Sequence, residues 1–134
     1  MKVETLEYET AEAPEEVYAH LGPCIGVGAI YQRKGYLLHT QPVGWNNFSA
    51  QLAPLLDDLT KDVRDKSKLQ IYIAGCSLDG EYDQEVLEGR KTVLEVITNA
   101  GFQECLRKVQ GAKYYSSQTL YLILEEGVGT IEED

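Results

Sequence analysis

The chain has 134 residues, of which 43% are hydrophobic and 25% charged, and carries a formal net charge of -10. That length and balance predict one globular domain, spanning 1–134, with acidic ends and a real core. The acidic excess speaks against nucleic acid and anionic membrane surfaces as partners, because phosphates require a basic face. In chain order, Lys2–Glu9 alternates weakly and predicts an edge strand, followed by a loop over Thr10–Glu16 around Pro14. Val17–Leu21 predicts a short strand running into the corner Gly22-Pro23-Cys24. The apolar run Ile25–Gln32, the turn Arg33-Lys34-Gly35 and Tyr36-Leu37-Leu38 read as a β-hairpin. Pro42–Phe48 reads as a loop in which Trp45, Asn46 and Asn47 could wall a pocket. Phe48, Leu52, Leu55, Leu56, Leu59 and Val63 then share one helix face. Pro54 falls inside that pattern, so the helix either starts there or kinks there, and Asn46, Asn47 or Ser49 could cap an earlier start.

Leu69–Ala74 is the best strand, ending at Gly75-Cys76, and Ser77–Asp83 is a polar loop. Val86, Leu87, Arg90, Val93, Leu94 and Ile97 predict a second amphipathic helix, stopped by Gly101. Phe102–Gln110 is a strand candidate, Gly111–Ser117 a turn region, Thr119–Leu124 a buried strand and the remainder an acidic tail. The expected fold is an α/β (α+β) layered domain. Its two main helices cover one mixed sheet that holds the hairpin and the strands around Ile71 and Leu122.

The chemistry-bearing residues are few. A hairpin returns its second strand beside the start of its first, so Cys24 and His39 are expected at one sheet edge. A thiol beside an imidazole is the minimum equipment of a cysteine nucleophile, and a base at that distance is expected to lower the thiol pKa. His20 is a second candidate base, ranked below His39 because a strand of four residues carries it away from Cys24. Three cysteines without paired spacing, together with the lack of a secretory apolar stretch near Met1, point to a reducing cytoplasm. No C-x-x-C or H-x-x-x-H spacing is present, and neither metal nor cofactor is expected.

Leu21-Gly22-Pro23-Cys24-Ile25-Gly26-Val27 resembles the LGSCVAV-type motif of the CheD family, the chemoreceptor glutamine deamidases. His39-Thr40-Gln41-Pro42 is similar to that family's H-x-x-L-P segment, one residue shorter. Ile71–Cys76 resembles its A-K-I-x-G-G strand, and Leu87-Glu88-Gly89-Arg90-Lys91 its I-G-x-R-N helix start. Glu7-Tyr8 and Pro14 are similar to its opening. The motifs run in the family's order from Glu7 to Leu124.

The resemblance implies a three-layer α/β fold, Cys24 as nucleophile and His39 as general base in hydrolysis of a protein glutamine amide. It implies a protein substrate or a regulatory protein partner, with a catalytically silent binding domain as the other reading. On the binding reading, the Ser77–Asp83 loop and the region of Gly89-Arg90 are the expected contact surfaces. The family's third residue is a threonine shortly before the cysteine. That position falls here on Tyr18 or Ala19, so the Tyr18 hydroxyl is the candidate that orients His39. Pro23 replaces the family's serine and Cys76 its second glycine.

Overall fold

The computed structural model describes residues 1–41, 48–113 and 115–134, with the backbone alone for Phe48 and Ser49. The expected pocket wall and caps at Trp45, Asn46 and Asn47 lie outside the described residues, as do the side chains of Phe48 and Ser49. The elements run β1 (Glu7–Glu12), β2 (Glu16–Leu21), β3 (Ile25–Tyr31), β4 (Lys34–Thr40), α1 (Phe48–Asp62), β5 (Gln70–Gly75), α2 (Asp83–Asn99), β6 (Leu106–Gly111), β7 (Gln118–Ile123) and β8 (Val128–Glu133). Five strands form a mixed sheet in the order β1-β4-β3-β5-β6. There β5 and β6 run parallel and the other neighbours antiparallel. The remaining three form an antiparallel sheet, β2-β7-β8.

β3 reads as a continuous apolar run because both its faces are covered. Ile25, Val27, Ala29 and Tyr31, with Tyr36 and Leu38 of β4, pack on Leu52, Leu55 and Leu59 of α1 and Val86, Val93 and Ile97 of α2. Ile30, Leu37, Tyr72 and Ala74 point the other way, onto Val17, Ala19, Leu120 and Leu122. The layers are therefore helices, five-stranded sheet and three-stranded sheet. Gly28 and Gly35 make room for the outer sheet. A Cβ at Gly28 would lie 3.0 Å from Leu122 Cδ2, and one at Gly35 2.6 Å from Leu124 Cδ2. Polar contacts seat α1. Tyr8 Oη donates to Asp58 Oδ2 at 2.6 Å, and Tyr36 Oη and Lys34 Nζ donate to Asp62 Oδ2 at 2.8 and 3.0 Å.

The mixed α+β class and the two sheet-covering helices match the sequence expectation. The single sheet does not: the strand around Leu122 joins β2 and β8 in the second sheet. Alternation marks a strand but says nothing about its partner, which is chosen by packing far along the chain. The hairpin turn is Gln32-Arg33, both left-handed at φ 49° and 70°, so Lys34 and Gly35 belong to β4. The strand expected over Lys2–Glu9 begins at Glu7 and runs on into the expected loop, ending at Glu12. α1 runs through Pro54 rather than starting there. The acidic tail is largely β8, entered through Gly127 at φ 72°. Its charges hid a strand whose Glu133 accepts hydrogen bonds from Lys113 N–H and Ser116 Oγ, both at 2.7 Å, and from Gln118 Nε2 at 3.0 Å.

Candidate functional site

Cys24 stands one residue before β3 and His39 one residue before the end of β4. The register sets Gly26 opposite His39 and Ile25 opposite Thr40, so both side chains lie at the open end of the hairpin. Side chains alternate along β4. Tyr36 and Leu38 face the helices, while Leu37, and therefore His39, faces the second sheet. Cys24 packs against that same inter-sheet core.

His39 is 4% exposed. Its Nδ1 lies 2.9 Å from the Val3 carbonyl oxygen. A carbonyl only accepts, so Nδ1 carries a proton, and in the neutral ring Nε2 presents a lone pair. Thr5 Oγ1 lies 3.5 Å from that Nε2, at the long limit of a hydrogen bond. The Thr5 side chain also acts on the Cys24 thiol, drawing its pKa down. Cys24 and His39 share no direct hydrogen bond among the described residues; Thr5 stands between them.

A short turn delivers Thr5. Glu7 N–H donates to the Glu4 carbonyl at 3.0 Å, Glu4 N–H donates to Glu7 Oε1 at 2.8 Å, and Leu6 takes φ 70°. The segment before the turn is tied down through main chain. Val3 N–H donates to Tyr18 O at 2.8 Å, Tyr18 N–H to Met1 O at 3.0 Å, and Leu6 N–H to His39 O at 2.6 Å. Sequence reading missed Thr5 because it took Lys2–Glu9 as one strand. The segment holds no Gly or Asn to announce a left-handed residue.

Tyr18 is not brought to His39. Val17, Ala19 and Leu21 of β2 are buried, which turns the Tyr18 ring to the outer face of the three-stranded sheet. There it packs on His20 and Tyr121, with ring centroids 5.5 and 5.7 Å away. What Tyr18 contributes is its backbone, which holds Val3. His20 lies on the same outer face, its Nδ1 2.8 Å from Thr119 Oγ1.

The Cys24 corner is clamped to the end of β5. Cys76 N–H donates to Cys24 O at 2.8 Å and Ser77 N–H to Gly22 O at 3.0 Å. Gly75, at φ 93°, allows the approach, since a Cβ there would lie 2.2 Å from Cys24 O. Behind it, Gly75 N–H donates to the buried Gln118 Oε1 at 2.7 Å, and Gln118 passes the connection to Glu133. Hydrogen-bond donors, Lys113 N–H first among them and then Ser116 and Gln118, hold the Glu133 carboxyl down at about 2.

Burial pushes the Cys24 thiol up, and the Thr5 hydrogen bond pulls it partly back. The depressed thiol expected from the sequence is therefore not the resting state. Its bonded neighbour is a neutral hydroxyl, and burial outweighs it. Burial pushes Cys76 higher, to about 11, against the opposing pull of Arg90. Cys105 is also raised by burial. The Arg90 guanidinium turns inward, and Nη2 donates to the carbonyls of Cys76 and, at 3.4 Å, Ala112. A cavity of about 420 Å³ opens at the opposite end of the hairpin, between Gln32, Lys34, Lys61 and Arg64, away from Cys24.

No family model and no curated protein matches the chain. Among solved structures it is similar to the crystal structure of the Bacillus licheniformis hypothetical protein YfiH. The TM-score is 0.54 at 11% identity, over 78% of this chain and 50% of that one. The likeness is one of fold, and the chain spans about half the length of that neighbour. No helix among the described residues is long and apolar enough to cross a membrane.

Proposed function

We propose that this chain is a cysteine-dependent amidohydrolase of the kind its CheD-like motifs imply, acting on glutamine side chains of a protein substrate. The observation that supports the reading most is the 2.9 Å contact between His39 Nδ1 and the Val3 carbonyl oxygen. Held by Val3 O at Nδ1, the ring offers its basic nitrogen toward Thr5, whose hydroxyl reaches Cys24. In the proposed reaction the thiol proton passes to Thr5 Oγ1 as the Thr5 proton passes to His39 Nε2. The thiolate attacks the amide carbon and forms a C–S bond. His39 then returns the proton to the departing nitrogen, which leaves as ammonia. Water, deprotonated by the same Nε2, hydrolyses the thioester to glutamate and frees the thiol. A raised resting thiol fits this scheme, because the proton is removed only as the bond forms.

The test is ammonia release, with Gln-to-Glu conversion read by mass spectrometry, on the cytoplasmic part of a chemoreceptor and on a glutamine-rich peptide pool. Cys24→Ser should abolish turnover, and His39→Gln should lower it by about 10²–10⁴-fold. If the wild-type chain releases no ammonia from either, and a glutamine-mimicking electrophile fails to label Cys24, the reading as a silent protein-binding domain takes its place.

A further inference from the structure

A second cavity, of about 190 Å³, lies between the carboxyl ends of β5 and β6 and the inner side of α2. In open sheets, the crevice beyond the carboxyl ends of parallel strands is where ligands bind. β5 and β6 are the parallel pair of this sheet, and α2 is the helix that connects them. Most of the lining is apolar, with Ile73, Leu94 and Val109 facing the space, and it includes one cation, Arg90.

Arg90 is placed with unusual care for a residue that merely fills space. Its guanidinium lies on Gly111, where a Cβ would come within 2.5 Å of Cζ and 2.7 Å of both Nη atoms. Glycine at 111 is thus a condition of that placement. Nη2 is occupied by two carbonyls and the guanidinium also lies against the Cys76 thiol, whose pKa it lowers, whereas the buried Nε has no partner among the described residues. No carboxylate pairs with this cation among the described residues, although the chain has 22 acidic residues against 12 basic ones. A half-buried guanidinium with a spare donor beside an apolar cavity is suited to an anion carrying a hydrocarbon body.

We infer that this cavity binds a small aliphatic carboxylate, its oxygens on the Arg90 guanidinium and its hydrocarbon end against Ile73, Leu94 and Val109. At about 30 Å³ per water-sized unit, the volume holds about six such units, the scale of a short branched chain. The inference does not depend on the chemistry of Cys24.

The experiment uses the full chain and 4-methylpentanoate, with neutral 4-methylpentanamide as its isostere, by ligand-observed NMR and thermal shift. The carboxylate should bind at millimolar concentration, and the amide about 10- to 100-fold more weakly, the usual worth of a charge-assisted hydrogen bond. Arg90→Lys keeps the charge and loses the planar fork, and it should weaken carboxylate binding at least several-fold. Arg90 also ties two loops together, so Leu94→Trp is the second variant. It fills the cavity without touching the guanidinium contacts and should abolish binding while the fold stays intact by circular dichroism. Equal binding of amide and carboxylate, undiminished binding by folded Leu94→Trp, or no binding by the wild-type chain would each overturn the assignment.

Discussion

His39 Nδ1 donates to the carbonyl oxygen of Val3, 2.9 Å away and 36 residues earlier in the chain. This bond selects the imidazole tautomer, and it comes from a main-chain atom that no side-chain substitution removes. The segment that supplies it also carries Thr5. The candidate site is therefore completed by residues well outside the Gly-Pro-Cys corner, folded back over the hairpin and pinned to β2.

Thr5 is exposed and makes little of the core, so its hydroxyl can be removed without harm to the fold. Thr5→Val should leave the melting temperature nearly unchanged, a difference within about 0.5 kcal/mol. Its effect should appear in the thiol. The Thr5 hydrogen bond lowers the Cys24 pKa, so its loss should raise it further and slow iodoacetamide labelling near neutral pH. Thr5→Ser should restore the wild-type rate. Equal labelling of the valine and wild-type chains would remove Thr5 from the site.

Tyr18→Phe separates the two threonine substitutes that sequence and structure suggest. The ring lies on the outer face of the second sheet, against His20 and Tyr121. Loss of its hydroxyl should change neither the labelling rate of Cys24 nor any ammonia release. A defect as large as that of Thr5→Val would mean that the Tyr18 hydroxyl does act on His39.

The parts legible in the sequence are those fixed by local pattern. The hairpin, β5 and α2 appear within a few residues of their expected bounds, and the meeting of Cys24 and His39 at one hairpin end follows from register alone. What escaped depends on distant contacts. Leu122 alternates as any half-buried strand does, and only its packing over Gly28 assigns it to a second sheet. Arg90 shares the spacing of the apolar face of α2 with Val86, Val93 and Ile97, but that spacing does not reveal that its guanidinium lies over Gly111. Thr5 sits in a turn whose left-handed residue is a leucine.

Labelling order and pH dependence should follow burial. Cys24 is half-exposed while Cys76 and Cys105 are buried, so Cys24 should react first in the native chain. Because burial raises its pKa, the rate should climb through a midpoint above that of a free cysteine. Cys76, pushed up to about 11 and enclosed, should react only on unfolding. Residue-by-residue mass spectrometry across a pH series reads both. A midpoint below neutral would show that His39 stabilises the thiolate in the resting chain after all.

Glu133 should make stability depend on acid. Its carboxyl falls from an ordinary 4.5 to about 2 on folding, through hydrogen bonds from Lys113, Ser116 and Gln118. A depressed carboxylate contributes stability above its unfolded value and loses it as pH falls through the folded one. Wild type should therefore exceed Glu133→Gln in urea midpoint at neutral pH. The gap should close as pH drops from about 4.5 toward 2. Other carboxylates titrate in the same window, so the informative quantity is the difference between the two chains. A constant gap down to the lowest pH would mean that Glu133 contributes through shape and not through charge.

Gly75→Ala should damage both the fold and the site. The φ of 93° disfavours any residue with a Cβ, and the added carbon would lie 2.2 Å from Cys24 O, a main-chain atom that cannot swing aside. The combined cost is expected at about 2–4 kcal/mol. Gly28→Ala is the matched control. Its Cβ would meet Leu122 Cδ2 at 3.0 Å, the end of a flexible side chain, and about 1 kcal/mol is expected. Relief of the Gly75 clash requires Cys24 O to part from Cys76 N–H, which opens the corner. Folded Gly75→Ala should therefore label faster at Cys24 than wild type, and Gly28→Ala should not. If the two variants cost the same and Cys24 reactivity is equal in both, the clamp between the Cys24 corner and β5 does not hold the thiol in place.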